Sequence, residues 1–252
     1  MRLERPHYNG ETDRPARWNW TPPPYGAARV NQEERTSALT VTTVKFPGPE
    51  GALEGLWCDP GRGLPAAVIA HPHPAHGGSM HSKVVHTVYK VLTEAGHATL
   101  RFNFRGVGRS EGGYSGGDGE VGDVAAAAAY ARAQTGLPTL WLAGFSFGSW
   151  VGARWAIQDD HLEQFVALGM PVTVNIDGRT FDFLTRPPAP MLIVQGDHDQ
   201  YGSREDALAL VARLKPHGRV EARFVADADH FFTGRLSQLA AALRDGLGME
   251  GK

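Results

Sequence analysis

The residues with the plainest chemical potential are Gly144-Phe145-Ser146-Phe147-Gly148, a G-x-S-x-G pattern followed by Ser149. A serine hydroxyl becomes a useful nucleophile only when a neighbouring base takes its proton. Here an apolar, strand-like run (139–143) precedes the pattern and a helical stretch (147–158) follows it. Such a strand-to-helix turn lifts the serine off a sheet, and the helix behind it favours negative charge developing nearby. Side chains at positions 144 and 148 would collide with the adjoining strand and helix, which accounts for the two glycines.

Where a serine sits on such a turn, its partners follow it in the order acid, then histidine. Each partner should lie just beyond a later strand. The run 191–195 leads into Gly196-Asp197-His198-Asp199-Gln200, and the run 219–225 leads into Asp227-Ala228-Asp229-His230-Phe231-Phe232. Of the eleven histidines, only His230 occupies such a place, and it is the expected general base. Asp199, further past its strand end, is preferred over Asp197 as the acid that orients the histidine. Asp197 is expected to close the turn by bonding backbone amides.

Acyl transfer also needs donors for an oxyanion. One is expected at the backbone N–H of Phe147, directly after the serine. The other should come from His71-Pro72-His73-Pro74-Ala75-His76-Gly77-Gly78, the loop after the run 66–70. Prolines have no N–H, so among Pro72, His73 and Pro74 only His73 can donate, with Gly77 or Gly78 as the alternative. The spacing His71-x-His73-x-x-His76 approaches a zinc motif, H-x-H-x-D-H. Its aspartate position is occupied by Ala75 and two prolines interleave the ligands, so no metal is expected. Asn103-Phe104-Arg105-Gly106-Val107-Gly108-Arg109-Ser110-Glu111-Gly112 does not complete G-x-G-x-x-G and reads as a tight turn bordering the active site. No cofactor is implied.

These residues require a scaffold. Two β-rich runs, 40–46 and 52–58, are joined by a turn signal and predict an antiparallel hairpin. Buried strands are expected at 66–70, 98–104, 139–143, 165–168 and 191–195, with a further strand at 219–225. Helices are expected at 82–94, 119–134, 147–158, 203–214 and 234–247. This alternation indicates an α/β fold, a doubly wound, mostly parallel sheet whose ligands bind at the carboxyl ends of its strands. The stretch 170–190 is too short and proline-rich for a helical cap, so the cleft should be open, suited to short acyl chains. Residues 1–37 read as an irregular arm ahead of a domain spanning 38–252. The arm's Trp18, Trp20 and Tyr25 would pack on the body, with homodimerisation or covering of the active site as alternatives.

Composition excludes several classes. The net charge of −2 implies neither nucleic acid nor an anionic membrane as partner. No apolar leader or run of about 18 apolar residues appears, which points to the cytoplasm. Cys58, the single cysteine, rules out an internal disulfide and reads as a buried, inert thiol.

The segments HPHPAHGGSM, NFRGVGRSEG, GFSFGS, QGDHD and ADHFF together resemble the small, lidless bacterial α/β-hydrolases related to dienelactone hydrolases and prolyl-oligopeptidase-like domains. The resemblance spans residues 38–247; the arm, His76 and His81 depart from it. It implies a triad of Ser146, Asp199 and His230 acting on a small-molecule ester, thioester or lactone. An acyltransferase or cyclase with the same triad is the alternative.

Overall fold

The computed structural model describes residues 39–173 and 179–249. The arm expected at 1–37 lies outside the described residues. In chain order the elements are β1 (Val41–Gly48), β2 (Gly51–Cys58), β3 (Ala66–Ala70), α1 (Lys83–Glu94), β4 (Thr99–Phe102), α2 (Asp118–Thr135), β5 (Leu140–Phe145), α3 (Phe147–Ala156), β6 (Leu162–Leu168), β7 (Met191–Gly196), α4 (Arg204–Leu214), β8 (Val220–Val225) and α5 (Leu236–Gly246). The strands form one sheet in the order β1-β2-β4-β3-β5-β6-β7-β8. β1 and β2 pair antiparallel through a two-residue turn between Gly48 and Gly51, and β2 pairs antiparallel with β4. All pairings from β4 through β8 are parallel.

β3, β5, the inner part of β6 and the first four residues of β7 are apolar runs because helices cover both faces of the sheet. On one face, α1 and α5 place Val84, Val85, Val88, Leu239 and Leu243 against Ile69, Phe145 and Val194. On the other, the alanine run of α2 and residues of α3 and α4 pack on Val68, Leu100, Leu142 and Ile193. β6 starts three residues earlier than its apolar run, since Glu163 and Gln164 at its outer end are not fully buried and break the sequence pattern. Through the described residues between β6 and β7 the chain forms no helix, so no cap domain is built there. Cys58 is buried, and burial pushes its thiol pKa up, as expected of an inert side chain. Among the described residues no helix is long and apolar enough to cross a membrane.

The topology sets the site. β5, β6, β7 and β8 are adjacent and parallel, so the segments leaving β5, β7 and β8 all emerge at the same edge.

Candidate active site

Ser146 leaves β5 with φ 53° and ψ −117°, a left-handed conformation that non-glycine residues rarely adopt. Its neighbours explain how it is held. A Cβ on Gly144 would lie 2.3 Å from the Gly148 carbonyl oxygen, and one on Gly148 would lie 2.4 Å from that of Ala70. Both contacts are with backbone, so neither position tolerates a side chain. The Ser146 amide donates to the Leu168 carbonyl at the end of β6 (2.8 Å), tying the turn to the sheet.

Ser146 Oγ lies 2.9 Å from His230 Nε2, and His230 Nδ1 lies 2.8 Å from Asp199 Oδ2. A carboxylate only accepts, so Nδ1 carries the proton and Nε2 is left to accept from the serine hydroxyl. The three residues that the sequence singled out, separated by as many as 84 positions, therefore form one hydrogen-bonded chain. His230 and Asp199 are both buried. Asp199 Oδ1 accepts from the amides of Tyr201 (2.8 Å) and Gly202 (3.2 Å). Asp199 thus closes its own turn, whereas Asp197, expected to do so, has a buried Oδ1 with no hydrogen-bond partner. The backbone rather than the spacing decides this: the amides that need capping follow Asp199.

Sequence reasoning missed Gln195. Its Nε2 donates to Asp199 Oδ2 (2.8 Å) and to the Gly202 carbonyl (2.9 Å), while its Oε1 accepts from the Met170 amide (2.9 Å). A glutamine ending an apolar strand is the one signal that marked it. The loop carrying His230 is fixed by Asp229, whose Oδ1 accepts from the amides of Phe231 and Thr233; these bonds hold its carboxyl below the usual range.

Residues 65–242 match a family model described as an alpha/beta hydrolase domain. The chain belongs to the α/β-hydrolase family. A curated relative, an uncharacterized protein of Rickettsia prowazekii (strain Madrid E), is 37% identical, the match covering 80% of this chain and 87% of that protein. Among solved structures, an α/β serine hydrolase homologue from Coxiella burnetii is 38% identical (TM-score 0.74), covering 83% of this chain and 99% of that one. A lidless α/β serine hydrolase from Xanthomonas campestris is 34% identical (TM-score 0.72), covering 83% and 94%. By family this protein is a hydrolase.

In this α/β-hydrolase, Phe147 is the first residue of α3, so its amide has no carbonyl partner within the helix. The loop after β3 folds into a single turn of 3₁₀ helix: the His73 carbonyl accepts from the amides of His76 (3.1 Å) and Gly78 (3.0 Å), and the Pro74 carbonyl from that of Gly77 (3.2 Å). The amides of Gly77 and Gly78 are therefore engaged inside the turn. His73 lies beside Phe147, ring centroids 4.9 Å apart, and both residues line the cavity that holds Ser146.

His71, read as part of a metal-like spacing, is a fully buried strut. Its Nδ1 donates to the Pro72 carbonyl (2.6 Å) and its Nε2 accepts from the Phe104 amide (3.1 Å), so both ring nitrogens are committed to backbone. Burial pushes its pKa down to about 4. Among the described residues no group of three histidines, cysteines or carboxylates could hold a metal ion.

None of the residues of the 103–112 turn lines the cavity itself, but the turn borders the site from behind, with the Phe104 ring against that of Phe147 (centroids 5.7 Å apart). It also acts as a clamp. Asn103 accepts from the Met80 amide (2.8 Å) and donates to Glu54 (2.7 Å), anchoring the His73 loop to β2. Arg105 is buried on Asp123 of α2, which accepts from its Nε and Nη2 (2.8–3.1 Å). The cavity itself is about 480 Å³, of a size that takes a small organic molecule. Phe147, Trp150, Phe181 and Phe231 make it largely aromatic.

Proposed function

We propose that this protein is a serine hydrolase that cleaves a carboxylic ester, thioester or lactone through an acyl-enzyme on Ser146. The observation that carries this reading is the unbroken chain from Ser146 Oγ to His230 (2.9 Å) to Asp199 (2.8 Å), with Ser146 and His230 lining an aromatic cavity.

In the proposed reaction His230 Nε2 takes the hydroxyl proton as Ser146 Oγ bonds to the substrate carbonyl carbon. Asp199 holds the imidazole in the required tautomer and stabilises the imidazolium. Negative charge gathers on the carbonyl oxygen and is met by the amides of Phe147 and His73. His73 is the choice within its loop because its flanking prolines have no N–H and the two glycine amides bond inside the turn. Collapse of the tetrahedral intermediate breaks the bond to the alcohol or thiol, which leaves with the proton from His230. Water, deprotonated by the same nitrogen, then attacks the acyl-enzyme and releases the acid and the free serine.

The experiment is a panel of activated esters and thioesters of increasing acyl length, assayed with wild type and Ser146→Ala, with and without chelator. Turnover lost in Ser146→Ala and indifferent to chelator supports the reading; full activity in Ser146→Ala ends it.

A further inference from the structure

The cavity around Ser146 is lined by two permanent cations, Lys83 and Arg179, and by no aspartate or glutamate among the described residues. In a chain with 27 acidic and 25 basic residues, this wall is not a sample of the average surface. Lys83 is exposed, and its ammonium has no ion-pair or hydrogen-bond partner among the described residues. It is also the first residue of α1, where the helix dipole disfavours a cation. The first turn of α1 holds no acid to offset it, and the Ser82 side chain makes no capping bond. A residue set against its local electrostatic preference, facing a cavity, is more economically explained by a ligand than by folding.

Arg179 belongs to the wall formed by Phe147 and Trp150. Its guanidinium carbon sits 5.2 Å and 5.5 Å from the two ring centroids, and Nη2 donates to Tyr114 Oη and to the Gly116 carbonyl. Charges of one sign on a concave, low-dielectric wall focus the potential inside it and raise the local concentration of the opposite charge.

We propose that the substrates of this site are carboxylate-bearing esters, their carboxylate held by Lys83 in a field to which Arg179 contributes. The inference rests on the serine-hydrolase reading above and names its substrate class. The apolar lining would take the spacer between the carboxylate and the reacting carbonyl.

The test compares kcat/KM for paired substrates of equal size. One series carries the carboxylate on the acyl side (4-nitrophenyl half-esters of malonic to adipic acid against neutral acyl isosteres). A second carries it on the alcohol side (butyrate esters of 3-hydroxybenzoate against 3-hydroxybenzamide). We expect a preference for the anion in at least one series, on the order of ten-fold at low salt. That ratio should fall as salt rises. It should drop about two- to five-fold in Lys83→Gln, as for one partly exposed ion pair, and further in Lys83→Glu. A purely structural role for Lys83 would move both members of a pair together. Ratios near or below one in both series, or ratios untouched by either Lys83 variant, overturn the inference while leaving the serine mechanism in place. If every ester is hydrolysed equally well by Ser146→Ala, the serine reading fails and this inference falls with it.

Discussion

Asp199→Asn keeps the shape of the side chain but changes which atoms can accept. In the wild type all four contacts of the carboxylate are donors: the amides of Tyr201 (2.8 Å) and Gly202 (3.2 Å) on Oδ1, and Gln195 Nε2 (2.8 Å) and His230 Nδ1 (2.8 Å) on Oδ2. An asparagine would keep its oxygen toward the two backbone amides, which are fixed, and so direct its NH₂ at His230 and Gln195. His230 must then accept at Nδ1 and carry its proton on Nε2, where it can no longer receive one from Ser146. Gln195 cannot simply flip in response, because its Oε1 already accepts from the Met170 amide (2.9 Å). The expected loss in kcat/KM is about 10⁴-fold, as when a triad acid becomes an amide, or ~5 kcal/mol of transition-state stabilisation. The assay is hydrolysis of an activated ester at pH 7.5, with thermal denaturation as a control for folding. Activity within about ten-fold of wild type in a folded Asp199→Asn, or a large loss in Asp197→Asn instead, would refute the assignment of the acid and the tautomer argument with it.

Three further outcomes follow from the structure. Gly148→Ala would drive a Cβ to 2.4 Å from the Ala70 carbonyl and 2.7 Å from the His71 carbonyl, so the urea midpoint should fall by the equivalent of about 3 kcal/mol or more. Arg105→Leu would leave the buried carboxylate of Asp123 without its counter-ion, and a loss of roughly 3–5 kcal/mol in chemical denaturation is expected. His71 is held at about 4 in the native state against an ordinary value of 6.5, so between those values the unfolded chain binds the extra proton. Its contribution is fully present above pH 6.5 and is lost as pH falls toward 4, by up to ~3 kcal/mol, and the slope of stability against pH in that window should be shallower in His71→Gln.

Much of the fold was legible because it is written in local patterns. The buried parallel strands appear as short apolar runs, and the helices appear in the intervals between them; β3 and the first strand of the hairpin turn coincide closely with their sequence signals. Ser146 and His230 were legible because backbone geometry demands glycines beside one and a strand end before the other. What stayed hidden lies in contacts between distant residues. Gln195 supports Asp199 through a side chain whose partners are set by the parallel pairing of β6 with β7, which brings Met170 beside it, and no spacing in the chain announces it. The clamp ties Glu54 to Asn103 and Ser110, 49 and 56 positions away, so the glycine-rich turn read only as a border of the site and its second role as a brace did not show. The histidines at 71, 73 and 76 invited a metal reading because spacing counts ring nitrogens without showing that backbone groups already occupy both of those on His71.

The central claim is that Ser146 is the nucleophile, activated by His230. It is tested most directly by treating the protein with a fluorophosphonate and locating the adduct by peptide mass spectrometry. A single adduct on Ser146 is predicted, absent from Ser146→Ala and formed far more slowly in His230→Gln. Ester hydrolysis by a protein that stays unmodified, or an adduct on another residue such as Ser82 with Ser146 untouched, would contradict it.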